Sequence, residues 1–188
     1  MNLYARWSRR AGLCVLLALV TACGLATEPS AAGPPAARSY EEYAAGACVA
    51  LQSLWRAYGN PDTAALSPMQ RAFVDAVAQG DLPMATLRAA EIRAELERGR
   101  ASAAAAAGWA PGTASMGHMD RLLVSFGAMT EAKLAAMPQG DAEATTRGQE
   151  AFEAAGGVEA WRGMLQGIGE ATQASGKPWP ACEGIPIS

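Results

Sequence analysis

Between residues 85 and 106, small and apolar residues recur as Ala85, Ala89, Ile92, Leu96, Gly99, Ala103 and Ala106, at alternating steps of four and three. Only a helix brings such positions to one side, and an average step of 3.5 lines them up as a seam that a second helix can follow. A strand cannot use this spacing, because its period of two would scatter the same residues over both faces. Most of the seam is Ala or Gly, so a neighbouring backbone can come close. The stretch therefore commits the chain to helix-on-helix packing. The wider composition agrees: 20 glycines, abundant alanine and only 3 phenylalanines favour closely packed helices over sheet. The alanine run 103–107 needs no further role, since alanine is the strongest helix former.

Local signals divide the rest into helices. Ser39-Tyr40-Glu41-Glu42 reads as a capping box, with Ser39 as N-cap and Glu42 reaching back. Tyr40, Tyr43, Ala44, Ala47, Cys48, Leu51, Leu54, Trp55 and Tyr58 then fall on one helical face, and Gly59-Asn60-Pro61 ends it. Ser67-Pro68-Met69-Gln70 starts a second helix, which stops at Gly80, and Asp81 caps the seam helix. After a loop at 108–114, Ser115 is expected to cap a helix turning Met116, Met119, Leu122, Leu123, Phe126, Met129 and Met137 inward. Asp141 starts the next, and Gly156-Gly157 breaks or kinks it. Beyond the break Val158, Trp161, Leu165, Ile168 and Thr172 resume an apolar stripe, expected to face the core. The tail from Lys177 carries Pro178, Pro180 and Pro186, so it cannot be regular helix. Its Trp179, Ile185 and Ile187 suit an extended cover over the bundle.

The amino-terminal segment reads differently. Arg6, Arg9 and Arg10 precede any acid, and the apolar run from Ala11 to Ala22 is twelve residues long. A spanning helix needs about 20. Positive residues, a short apolar run and a small-residue boundary are the parts of a secretory signal. The boundary Val20-Thr21-Ala22-Cys23 resembles the lipobox of bacterial lipoproteins. That resemblance covers residues 1–24 only. It implies removal of residues 1–22, a diacylglyceryl group on Cys23, and a protein held by lipid on the extracytoplasmic side of an envelope membrane. Two acyl chains suffice for stable attachment, so the domain needs no apolar membrane surface of its own. Residues 23–38, with Pro29, Pro34, Pro35 and no apolar period, read as a tether spanning roughly 20 Å as a coil. Residues 39–188 then form one helical domain.

Lipid on Cys23 leaves Cys48 and Cys182 as the exported cysteines without an assignment, since Cys14 lies in the removed segment. An oxidising compartment permits a disulfide between them, fastening the tail to the first helix.

Charge and motifs exclude more than they assign. The whole chain has 15 basic and 18 acidic residues. Residues 1–22 hold three of the arginines and no acid, so residues 23–188 carry a net charge of −6. That balance excludes nucleic acid and anionic bilayers as partners recognised through basic patches. Met116-Gly117-His118-Met119 has donors that suit reduced copper, but His118 is the single histidine and both methionines belong on the inward face. No metal or cofactor is therefore expected. Carboxylate pairs such as Glu91 with Glu95 and Glu150 with Glu153 sit beside arginines, as on a solvated face. No nucleophile elbow, phosphate loop or dinucleotide fingerprint is present. Gly163 and Gly167 mark close helix contact.

The sequence thus predicts an all-α bundle of five or six helices with an extended carboxyl-terminal tail. The expected role is non-catalytic binding or scaffolding, with an envelope protein or a small ligand as partner. The alternative is a ligand-binding module in which Trp55, Trp109, Trp161 and Trp179, from four separated segments, line one apolar pocket.

Overall fold

The computed structural model describes residues 39–60, 65–180 and 182. Cys23, the tether, the leader, Ile185 and Ile187 lie outside the described residues. Six helices follow one another: α1 (Tyr40–Tyr58), α2 (Pro68–Gln79), α3 (Leu82–Ala106), α4 (Thr113–Ala136), α5 (Asp141–Ala154) and α6 (Gly157–Ser175). Single 3₁₀ turns lead into α4 at Ala110–Gly112 and follow it at Met137–Gln139. Two short strands, β1 (Gly59–Asn60) and β2 (Ala65–Leu66), pair antiparallel between α1 and α2. The fold is the all-α bundle that the sequence predicts.

The two longest helices, α3 and α4, form the axis. Helix α3 carries α1 and α2 on its flanks, and α4 carries α5 and α6. Helices α1 and α3 run antiparallel, with Gly46 opposite Ala106 and Ser53 opposite Gly99. The whole seam of α3 is buried: Ala85, Ala89, Ile92, Leu96, Gly99, Ala103 and Ala106. A Cβ at Gly46 would stand 2.7 Å from the Ala106 Cβ, so these backbones approach as closely as the small residues allow. The Ser102 hydroxyl donates to the Gly46 carbonyl across the same contact at 3.0 Å. Ala103 and Ala106 therefore serve in packing as well as in helix propensity.

The ends follow the expected chemistry. The Ser39 hydroxyl accepts from the Glu42 N–H at 3.3 Å, while the Glu42 carboxylate accepts from the Ser39 N–H at 3.0 Å. Ser67 accepts from Gln70 N–H and Asp81 from Met84 N–H. At the junction of α5 and α6, Gly156 adopts φ 76°, a left-handed conformation that disfavours any side chain.

Two expectations are corrected. Ser115 does not cap α4. The helix starts two residues earlier, and Ser115 is buried in its first turn, donating to the Gly112 carbonyl at 2.8 Å. On α6, the predicted stripe faces the core only in part: Trp161 and Ile168 are half-buried and pack against it, whereas Val158 and Leu165 are 42% and 51% exposed. The buried face is Ala160, Met164, Gly167 and Ala171. The reason is contact distance. A Cβ at Gly167 would come within 2.8 Å of the Ser115 Cβ, and one at Gly163 would meet the His118 ring at 2.5 Å. The small-residue face thus lies against α4, Trp161 and Ile168 pack at its edges, and Val158 and Leu165 turn outward.

Candidate functional site

Helix α1 has a second face beside its core face. Glu41, Ala45, Cys48 and Gln52 recur at steps of four and three, flanked by the buried Tyr40 and Ala44. The chain segment after α6 folds back along this face. Gly176 in the left-handed conformation ends α6, and proline at 178 and 180 prevents helix from resuming.

Four contacts fasten the segment. Cys48 and Cys182 form a disulfide, their Cα atoms 5.4 Å apart, within the range such a bond requires. The Tyr40 hydroxyl donates to the Pro178 carbonyl at 3.2 Å. Lys177 pairs with Glu41, and this ammonium holds the Glu41 carboxyl down at about 2. The Trp179 ring stands edge-on to Tyr43, with centroids 6.1 Å apart. Between segment and helix runs an open groove of about 620 Å³. One wall is Tyr40, Ala44, Ala45 and Cys48 of α1, the other Pro178, Trp179, Pro180 and Cys182, with Glu41 and Lys177 at one end and Gln52 at the other.

Tyr43 is the base on which this corner is built. It is fully buried, and Trp109 lies 5.1 Å from it on the side of the 110–112 turn. Tyr40 meets Trp109 in a T-shaped contact at 5.4 Å. Since the Ser115 proton goes to Gly112, the Tyr43 hydroxyl is the donor in its 2.7 Å bond to Ser115. Burial raises the Tyr43 phenol above its ordinary value of 10.0, so it remains neutral.

The structure therefore brings two of the four tryptophans, Trp109 and Trp179, onto one tyrosine, and only Trp179 lines the groove. Trp55 lies twelve residues along α1 from Tyr43, about 18 Å at 1.5 Å per residue. Trp161 lies near the start of α6, the opposite end from the tail. The four do not meet. Sequence reasoning missed Glu41, Ala45 and Lys177 as parts of a wall. The signal was present: pairing Cys48 with Cys182 already lays residues 177–182 against the 41–45–48–52 stripe.

The copper-type cluster is dispersed. Met116 and Met119 are buried in the core, and the His118 ring lies against Gly163 of α6. Among the described residues no group of three or more His, Cys, Asp or Glu side chains is placed to hold a metal ion. Also among them, no helix is long and apolar enough to cross a membrane. A smaller cavity of about 190 Å³ lies between α3 and α4, where Gly127 leaves space. Its charged rim is engaged, Arg93 with Glu131 and Arg100 with Asp120 and Glu97. Compared with known proteins, the chain matches no protein-family model, no curated protein and no solved structure.

Proposed function

We propose that this chain is a non-catalytic binding protein, held to a bacterial envelope membrane by lipid on Cys23, and that the groove beside α1 is where it binds. The observation that supports the reading is the groove itself. Its volume of about 620 Å³ falls in the usual range of small-ligand sites. Its walls are small apolar side chains, two prolines, a disulfide and an indole. The charged side chains lining it, Glu41 and Lys177, are paired with each other at one end, which leaves the length of the groove to apolar contact.

Two experiments test this. Mass spectrometry of the mature amino terminus should find Cys23 carrying diacylglycerol; an unmodified terminus at another residue removes the lipid anchor. Protein-detected NMR with a panel of small apolar compounds should shift the Trp179 indole signal. Ala45→Phe should suppress those shifts, because Ala45 lines the groove yet is exposed, so a larger side chain fills the trench without disturbing the core. Shifts elsewhere only, or unchanged in Ala45→Phe, would sink the groove as the site.

One observation favours the scaffolding reading instead. Helix α6 turns Val158 and Leu165 outward, and exposed apolar surface of that kind can serve protein contacts. A Val158→Glu, Leu165→Glu double variant that loses an envelope protein partner while keeping the NMR shifts would favour it.

A further inference from the structure

Resting on the groove reading above, we propose that the ligand is a single hydrocarbon chain of an amphiphile, lying along α1 with an anionic head at the Glu41–Lys177 end. The first support is shape. From Glu41 to Gln52 the wall follows α1 for eleven residues, about 17 Å at 1.5 Å per residue. A volume of about 620 Å³ over that length leaves a mean cross-section of about 36 Å², a trench about 7 Å across. That is a trench for one extended chain and not a chamber for a globular body.

The second support is that the walls offer few main-chain donors in regular order. The α1 backbone is bonded within its own helix. Pro178 and Pro180 have no N–H, and the Pro178 carbonyl already accepts from Tyr40. The Trp179 Nε1 is buried without a partner. Proline at 178 and 180 interrupts the regular alternation of donors that a peptide strand pairs with, so the walls offer mainly apolar contact.

The third is the polar end. Glu41 and Lys177 are both more than half exposed, and both close one mouth of the trench. A lysine ammonium has three donors, and the pairing with Glu41 occupies one. The others can take a carboxylate or a phosphate while the chain lies on Ala45 and Trp179. A free fatty acid and a membrane phospholipid share this chemistry.

The test uses the full-length protein in its own membranes. Hexadecanoate carrying a diazirine near its chain end, and a phospholipid carrying the same chain, are added separately and photolysed. The expected result is cross-linking to peptides containing residues 40–52 or 177–182, with a yield that falls about tenfold in Ala45→Phe. Which probe labels identifies the source. A photoreactive aromatic compound without an alkyl chain is run in parallel. If it labels the groove in an Ala45-dependent way and the acyl probes do not, the ligand class is wrong and the binding reading stands. If no probe labels the groove, or acyl labelling is unchanged in Ala45→Phe, both fail.

Discussion

Single glycines decide how closely these helices meet, and they fall into two sorts. Gly167 has no room for a side chain, since a Cβ would stand 2.8 Å from the Ser115 Cβ and 3.0 Å from its Cα. Gly117 and Gly169 sit in the same helix pair with nothing within 4 Å. Gly167→Ala should therefore cost about 1–3 kcal/mol through overpacking. Gly117→Ala and Gly169→Ala should each gain about 0.5–1 kcal/mol, because alanine restricts the unfolded chain and suits a helix. Urea titrations of the three variants check this, and a gain at position 167 would contradict the contact. A second residue-scale prediction concerns pH. The Tyr58 hydroxyl donates to the Phe126 carbonyl at 2.6 Å and contacts Thr130, and burial pushes its phenol far above the ordinary value of 10.0. The folded protein then keeps a proton that the unfolded chain releases near pH 10. Stability from this group is full below about pH 10 and is lost as pH rises toward the folded value. Tyr58→Phe should lower stability at neutral pH by about 1 kcal/mol and flatten the alkaline decline. Urea midpoints measured at several pH values above and below about 10 would show it.

At the scale of elements, α6 shows where sequence periodicity is ambiguous. It carries two apolar stripes. One, with Val158, Trp161, Leu165, Ile168 and Thr172, is the more hydrophobic by residue type yet buries Trp161 and Ile168 only in part, and the other, with Ala160, Met164, Gly167 and Ala171, is smaller. Period alone prefers the first. The second is buried because its small residues fit a partner, α4, that cannot be identified from α6 itself. Met164→Ala should accordingly cost about 2–5 kcal/mol and Leu165→Glu no more than about 0.5 kcal/mol. Thermal unfolding of the two variants reverses in order if the stripe predicted from sequence is the buried one. Helices α1 and α3 were readable for the opposite reason. Their evidence is local: a reciprocal cap at Ser39 and Glu42, and a seam of small and apolar residues at steps of four and three that is buried along its whole length. Ser115 was misplaced because a serine after a loop resembles a cap, whereas here its hydroxyl is claimed by Tyr43 and Gly112.

At the scale of the whole molecule, the closing contact joins residues 134 apart. Chemistry made Cys48, Cys182 and Trp179 visible in the sequence, because few cysteines remained to pair and an indole in a proline-rich tail needs cover. Ala44, Ala45 and Pro178 carry no such mark; they become walls only once the tail lies on α1. Cross-linking a loop this long restricts the unfolded chain by up to about 5 kcal/mol. A Cys48→Ser, Cys182→Ser double variant should lose up to that amount in a denaturant titration, and the Trp179 environment should relax even where the helices persist. Unchanged stability would mean that the tail contributes nothing to the bundle. The same bond also settles how the protein bears a load. Tension entering at Ser39 passes along α1 only as far as Cys48, crosses to Cys182 and leaves through the carboxyl terminus. The intervening helices hang beside that line as a closed covalent ring. Pulling on the two ends cannot unzip the bundle while the bond is whole, and reducing it would place every helix in series with the force.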